Sequence, residues 1–187
     1  MDLPSPNVLG IVFGISETAI SLLLRARGGM QRKDRGSLAA IWIVVGISIG
    51  AGIWAANAVP EARFPWRGAI YPYGFALFVL GIVVRWWSIW TLGRFFTVQV
   101  AIASDHTLIQ HGPYRWLRHP SYTGSLMMFV GFALCVGNWL TMALILVPVL
   151  AVFAWRIHVE EAALAEAFGD AWRQHVKRTW RLLPFVY

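Results

Sequence analysis

Long apolar runs separated by short basic segments dominate the sequence. Five runs reach the length of about 17–25 residues that a helix needs to cross a bilayer core of roughly 30 Å. They are residues 7–24, 37–59, 69–90, 122–140 and 141–157. The last two runs meet at Asn138-Trp139-Leu140, which leaves almost no loop. We therefore predict an all-α, polytopic membrane protein of five transmembrane helices, with a tight hairpin between the fourth and fifth.

Two polar segments remain, residues 91–120 and 158–187. The second begins as an acidic stretch whose apolar residues recur at helical spacing, which predicts an amphipathic helix along the membrane surface or over the first segment. Gly169 interrupts that helix and predicts a bend. We expect a single membrane domain over residues 1–187, in which residues 1–90 supply three helices and residues 91–187 form the cofactor-binding and catalytic half.

Basic residues give the orientation. The loop after the first run, the segment around the start of the fourth run and the C-terminal tail hold all but two of the 16 Lys and Arg. Arg63 and Arg67 alone fall on the other side. The positive-inside rule places the N-terminus outside and both polar segments in the cytoplasm, with the tail helix. We expect an integral membrane protein of a bacterial inner membrane.

Composition supports lipid as the solvent. Hydrophobic residues make up 58% of the chain and charged residues 13%, against about 45–50% and about 25% in soluble domains. The net charge of +7 is explained by topology and lipid headgroups, so we expect membrane lipids and no nucleic acid as partners. One cysteine, Cys135, and the spacing of His111, His158 and His175 match no metal motif, and we expect no metal. The oligomeric state is not indicated.

Candidate chemistry lies in two clusters. Residues 106–124 hold three His, two Arg, two Tyr and two Pro directly before an apolar run. Arg156 and Glu160 lie four residues apart on one helix face at the end of the fifth run, with Glu161 beside them. The hairpin should bring both clusters to one membrane depth, where ionisable residues are usually functional. Glu17 interrupts the first run, and we favour a pairing role within the bundle over a place on a substrate path.

The run Arg118-His119-Pro120-Ser121-Tyr122-Thr123-Gly124, followed by a hairpin and Glu160-Glu161, resembles the signature of the isoprenylcysteine carboxyl methyltransferase family. Residues 105–109, 112–114 and 168–170 and the ending Leu183-Pro184-Phe185 are similar to that family too. The resemblance covers residues 91–187, about half of the chain. Pro113 departs from the family pattern, which more often has a β-branched residue there.

The resemblance implies a membrane enzyme that uses S-adenosylmethionine. Arg156 and Glu160 would be catalytic, and Arg156 would bind the methyl acceptor. By position, the cofactor contacts would be Gln99, His106, Thr107, Leu108, Ile109, Tyr114, His119, Pro120, Ser121, Tyr122 and Glu160.

The residue types allow roles to be assigned to this set. No glycine-rich strand–loop–helix is present, which excludes a soluble Rossmann-type site. Glu160 suits the cofactor ammonium, Tyr114 and Tyr122 suit the sulfonium, and His119 suits the carboxylate or ribose. A carboxylate acceptor is ionised at pH 7 and needs only a clamp, which the guanidinium of Arg156 provides. An amine or thiol acceptor would need a base, and the candidates are His119 and Glu161.

Three enzyme functions and one non-enzymatic function remain open. The first is methyl transfer to a lipophilic acceptor that enters from the bilayer, an isoprenylcysteine-like carboxylate. The second keeps the cofactor but uses a phospholipid amine or a small thiol. The third is an NADPH-dependent, sterol-reductase-like enzyme, in which Arg115, Arg118 and Arg173 would meet the 2′-phosphate. A scaffold or transporter would have no polar cofactor pocket.

Overall fold

The computed structural model describes residues 3–23, 31–32, 36–97, 101–102 and 107–184. Its helices are α1 (Pro6–Leu23), α2 (Ser37–Ala58), α3 (Arg67–Leu92), α4 (Pro120–Val136), α5 (Trp139–Phe168) and α6 (Asp170–Val176). Short 3-10 turns cover Pro60–Ala62, Gly93–Phe95 and Gly112–Arg115. Strands β1 (Gln31–Arg32) and β2 (Ala101–Ile102) form a two-residue antiparallel ladder. The prediction of a helical protein is confirmed.

Four of the described helices are long and apolar enough to cross a membrane: α1, α2, α5, and α3 with the turn that follows it. Helix α4 is apolar but has 17 residues, about 26 Å of helix. Their outward-facing side chains are apolar too, as Ile47 and Val147 are each about two thirds exposed. These features support an integral membrane protein, while a crossing by all five helices stays a prediction.

One predicted boundary is wrong. The fifth run and the acidic segment after it are not separate elements but one helix of 30 residues, α5. No glycine or proline lies between Pro148 and Gly169, so nothing ends the helix where its apolar stretch ends. It ends at Gly169, with φ 51°, where a bend was predicted.

Helices α3 and α4 pack with their backbones in contact. Gly124 and Gly131 of α4 face Gly81 and Gly74 of α3, and a Cβ atom built on either α4 glycine would lie 2.6 Å from a backbone nitrogen of α3. Small residues at such spacing allow close approach of membrane helices. This contact fixes the position of α4 relative to α3.

The predicted hairpin between α4 and α5 is confirmed. Gly137 adopts φ 69°, and the Asn138 side chain caps α5 by accepting from the Thr141 amide at 3.0 Å. The Asn138 amide group also donates to the Val59 carbonyl at 3.0 Å, so the α2–α3 connection lies against the hairpin. The starts of α2 and α4, the end of α3 and the second half of α5 therefore lie together at the opposite end of the helix bundle.

Candidate functional site

A cavity of about 1380 Å³, counting its open mouth, lies at this second end of the bundle. Its apolar wall includes Phe13 and Val45 in the middle of α1 and α2, so the cavity reaches toward the middle of the helix bundle. Its polar wall comes from the segment that leads into α4, and from α4, α5 and α6. The polar and ionisable residues on that wall are Tyr114, Arg118, His119, Ser121, Tyr122, Ser125, Arg156, Glu160 and His175.

The Tyr122 hydroxyl joins the two predicted clusters. It donates to Glu160 Oε2 at 3.1 Å and accepts from Arg156 Nε at 3.2 Å. Arg156 is 2% exposed, and its Nη1 donates to Ser37 Oγ at the start of α2. The clusters thus meet at one depth, because Tyr122 lies in the first turn of α4 and Arg156 and Glu160 lie one turn apart on α5.

His119 separates two glutamates with different surroundings. Its Nε2 lies 3.3 Å from Glu161 Oε1, and its Nδ1 lies 3.8 Å from Glu160 Oε1. Glu161 also accepts from Arg118 Nε at 2.9 Å and Arg181 Nη2 at 2.7 Å, whereas Glu160 lines the cavity and its side chain is 32% exposed. Glu160 therefore faces the cavity, and Glu161 is held by cations, which makes it a poor candidate for a general base.

The residues after α6 form a C-terminal strap, residues 177–184, that holds the start of α4. The Arg118 amide donates to the Trp180 carbonyl at 2.8 Å and the His119 amide to the Arg181 carbonyl at 3.1 Å. Thr123 Oγ1 donates to the Leu182 carbonyl at 2.7 Å. This pairing gives a physical reason why the chain ending belongs to the same sequence signature as residues 118–124.

Three of the remaining predicted cofactor contacts also reach the cavity. Leu108, Ile109 and Tyr114 line it. Burial, followed by the charge of Glu160, raises the pKa of Tyr114 well above its ordinary value, so its phenol stays a neutral hydrogen-bond donor.

Four predicted contacts stand apart from this set. Thr107 is exposed, Pro120 is buried at the start of α4, and neither is among the described residues that line the cavity. Gln99 and His106 lie outside the described residues.

The sequence interpretation missed Arg85, Trp172 and His175, all of which line the cavity. Arg85 had been assigned to membrane topology, although its place inside an apolar run was a signal of function. Its Nη2 donates to Glu17 Oε2 at 2.6 Å, so Glu17 is paired within the bundle, and Glu17 also lines the cavity. Among the described residues, no group of three His, Cys, Asp or Glu lies close enough to hold a metal ion.

Replacing Glu161 with glutamine should destabilise the protein more than a matched change at an exposed pair. The substitution leaves Arg118 and Arg181 without their carboxylate, and removing one partner of a buried pair is costly. We expect the midpoint of thermal unfolding in detergent to fall by about 5 °C. Asp170→Asn is the control, because Asp170 and Arg173 are 83% and 76% exposed and such pairs contribute little. Equal midpoints for the two variants would contradict a stabilising role for the contacts of Glu161 with Arg118 and Arg181.

Comparison with known proteins identifies the family to which the chain belongs. The sequence model of the family described as phospholipid methyltransferase matches residues 70–171. The chain is 32% identical over 129 residues to the "Probable protein-S-isoprenylcysteine O-methyltransferase" of Oryza sativa subsp. indica, covering 68% of this chain and 66% of that protein. It is 34% identical over 116 residues to "Protein-S-isoprenylcysteine O-methyltransferase A" of Arabidopsis thaliana, covering 61% and 59%.

A solved structure is similar as well. It is that of the eukaryotic intramembrane Ras methyltransferase ICMT, with a TM-score of 0.60 and 28% sequence identity, and the match covers 78% of this chain and 52% of that one. The chain thus spans about two thirds or less of the length of these relatives. Since the family model matches more than half of the chain, the chain belongs to the phospholipid methyltransferase family, and the resemblance to isoprenylcysteine carboxyl methyltransferases is confirmed.

Proposed function

We propose that the chain transfers a methyl group from S-adenosylmethionine to the carboxylate of a lipophilic, isoprenylcysteine-like acceptor. The observation that carries this proposal is the Tyr122 hydroxyl, which joins Arg156 to Glu160 on the wall of a cavity that continues as an apolar space toward the middle of the helix bundle. A polar end suits the cofactor and the reacting carboxylate. The apolar part suits a hydrocarbon tail.

The donor set of the cavity fits the cofactor. Glu160 offers a carboxylate to the ammonium group, and Tyr114 and Tyr122 offer aromatic faces to a cation. When bound, the cofactor supplies an electrophilic methyl group. His119 has both ring nitrogens directed at glutamates, so we assign it to positioning Glu160 and not to binding the cofactor carboxylate.

Arg156 is proposed to bind the acceptor. A carboxylate is ionised at pH 7, so the chain need not remove a proton and has only to orient the nucleophile and exclude water. A guanidinium does this in two-point geometry. Ser37 Oγ and Tyr122 Oη both bond the guanidinium and help to hold it in place on the cavity wall.

We further propose that five helices cross a bacterial inner membrane with the N-terminus outside and the cavity mouth in the cytoplasm. Arg118 lines the polar end of the cavity and Arg181 bonds Glu161 beside it. The opposite end carries Trp66 and Trp139, each half exposed, as is common at membrane interfaces. Residues 91–187 would supply the cofactor contacts, and residues 1–90 would supply the bundle and part of the acceptor wall. Lipophilic acceptors would enter from the bilayer.

The family description favours a second candidate acceptor, a phospholipid amine. A reductase is disfavoured because the arginines it would use are engaged elsewhere. Arg118 is bound to Glu161 and to the Thr179 carbonyl, and Arg173 pairs with Asp170 at 2.8 Å. Arg115 stacks on Trp116.

The acceptor can be identified by the stability of the product. Purified protein in detergent would be given S-adenosylmethionine with a labelled methyl group and one of three probes: an N-acetyl-S-prenylcysteine, phosphatidylethanolamine or a prenyl thiol. A carboxyl ester releases labelled methanol in alkali, whereas methylated amines and thioethers do not. We expect label that alkali releases, from the first probe. Stable label from phosphatidylethanolamine would transfer the proposal to the amine, and binding of NADPH alone would overturn it.

Glu160→Ala should weaken binding of S-adenosylmethionine by at least about tenfold, since the cofactor ammonium would lose a charge-assisted partner. Isothermal calorimetry in detergent measures the affinity. Glu61→Ala is the matched control, because Glu61 is exposed on the 3-10 turn that follows α2, at the other end of the bundle. Full cofactor affinity in Glu160→Ala would contradict the assignment.

A further inference from the structure

A buried ion pair on the cavity wall joins α1 to α3. Arg85 Nη2 lies 2.6 Å from Glu17 Oε2, and the two side chains are 12% and 11% exposed. Taking two charges out of water is costly, and a buried pair is often no more stable than apolar side chains of the same volume. Stability alone therefore does not account for this pair.

The other side of the Arg85 guanidinium forms hydrogen bonds with the start of α4. Its Nη1 lies 3.0 Å from Ser121 Oγ and 2.7 Å from Ser125 Oγ, and 3.3 Å from the Ser121 carbonyl. The Arg85 backbone nitrogen also abuts Gly124, where a Cβ atom would lie 2.6 Å away. Arg85 thus fixes both the position and the rotation of the first turns of α4.

Tyr122 directly follows Ser121 in this turn. A small rotation of α4 would move the Tyr122 hydroxyl relative to Arg156 and Glu160, with which it shares hydrogen bonds. We propose that Arg85, oriented by Glu17, is a positioning residue that holds Tyr122 in the geometry required for methyl transfer. The inference rests on the proposed function and extends it, because Glu17 lies outside residues 70–171, which the family model matches.

A double variant separates positioning from stability. Glu17→Gln and Arg85→Met alone each leave one buried partner unmatched and should lower the midpoint of thermal unfolding. Glu17→Gln/Arg85→Met removes both charges and should recover the midpoint to within about 2 °C. Its kcat with the prenylcysteine probe should stay about tenfold or more below the original value, with affinity for S-adenosylmethionine within about twofold.

The matched control is Ser16→Ala. It removes another bond between α1 and α3, the 3.0 Å contact from Trp86 Nε1 to Ser16 Oγ, which does not involve α4, so kcat should not change. If the double variant fails to fold, Ser125→Ala provides the second test, since it removes one Arg85 acceptor and leaves the ion pair intact. Its kcat should fall with cofactor affinity unchanged.

The outcomes distinguish the two proposals. Original kcat in the folded double variant, or in Ser125→Ala where the double variant does not fold, would overturn the positioning role and leave the methyltransferase proposal standing. An unmodified protein that neither binds S-adenosylmethionine nor turns over any probe would overturn both.

Discussion

Replacing Arg156 with lysine should lower kcat with a carboxylate acceptor by about 100-fold, and Arg156→Ala by about 1000-fold. Lysine keeps the positive charge but loses the planar fork that binds both carboxylate oxygens. It also loses the geometry by which one side chain bonds Tyr122 and Ser37 together. Affinity for S-adenosylmethionine should stay within about twofold. Kinetics with the prenylcysteine probe and calorimetry on the same samples measure both quantities.

Two controls sharpen this prediction. Arg173→Lys changes an arginine that is 76% exposed on α6, and it should leave kcat unchanged. With a phospholipid amine as acceptor, Arg156→Lys should be far less damaging, because a neutral amine does not need a guanidinium fork. Unchanged turnover of the carboxylate probe in Arg156→Lys would contradict the clamp, and a loss of cofactor affinity would move Arg156 to the cofactor site.

The sequence predicts the hairpin and the meeting of the two clusters because both depend on local order. Asn138 marks the turn between two apolar runs, so the residues before α4 and late in α5 must lie at the same end. The proximity of Tyr122 to Arg156 and Glu160 follows directly from that topology. The signature residues alone therefore locate the polar part of the site.

The sequence did not predict contacts that depend on packing between distant helices. Glu17 and Arg85 are 68 residues apart, and a charged residue inside an apolar run indicates a function without showing which distant residue it pairs with. The sequence assigns Glu160 to the cofactor and offers Glu161 as a candidate base, but it does not show the arginines that bind Glu161. The two are adjacent in sequence, and only their directions around α5 separate a cavity-facing carboxylate from one held by Arg118 and Arg181.

The largest loss of stability is expected from a single methyl group at the contact between α3 and α4. In Gly131→Ala, the new Cβ atom would lie 2.6 Å from the Gly74 carbonyl oxygen and the Phe78 backbone nitrogen. Neither group can turn aside as a side chain can, so the helices must separate. Overpacking of this kind costs about 3 kcal/mol, and we expect the midpoint of thermal unfolding to fall by about 10 °C.

Gly46→Ala is the matched control for this change. Gly46 lies in the middle of α2, and nothing is within 4 Å of the position its Cβ would take, so the substitution should be neutral or slightly stabilising through helix propensity. Gly131 lies about two and a half helical turns from Tyr122, so cofactor affinity should survive in the Gly131→Ala fraction that remains folded. Similar midpoints for the two variants would show that the packing of α3 on α4 does not depend on backbone contact. Arg85 would then position α4 through its guanidinium alone.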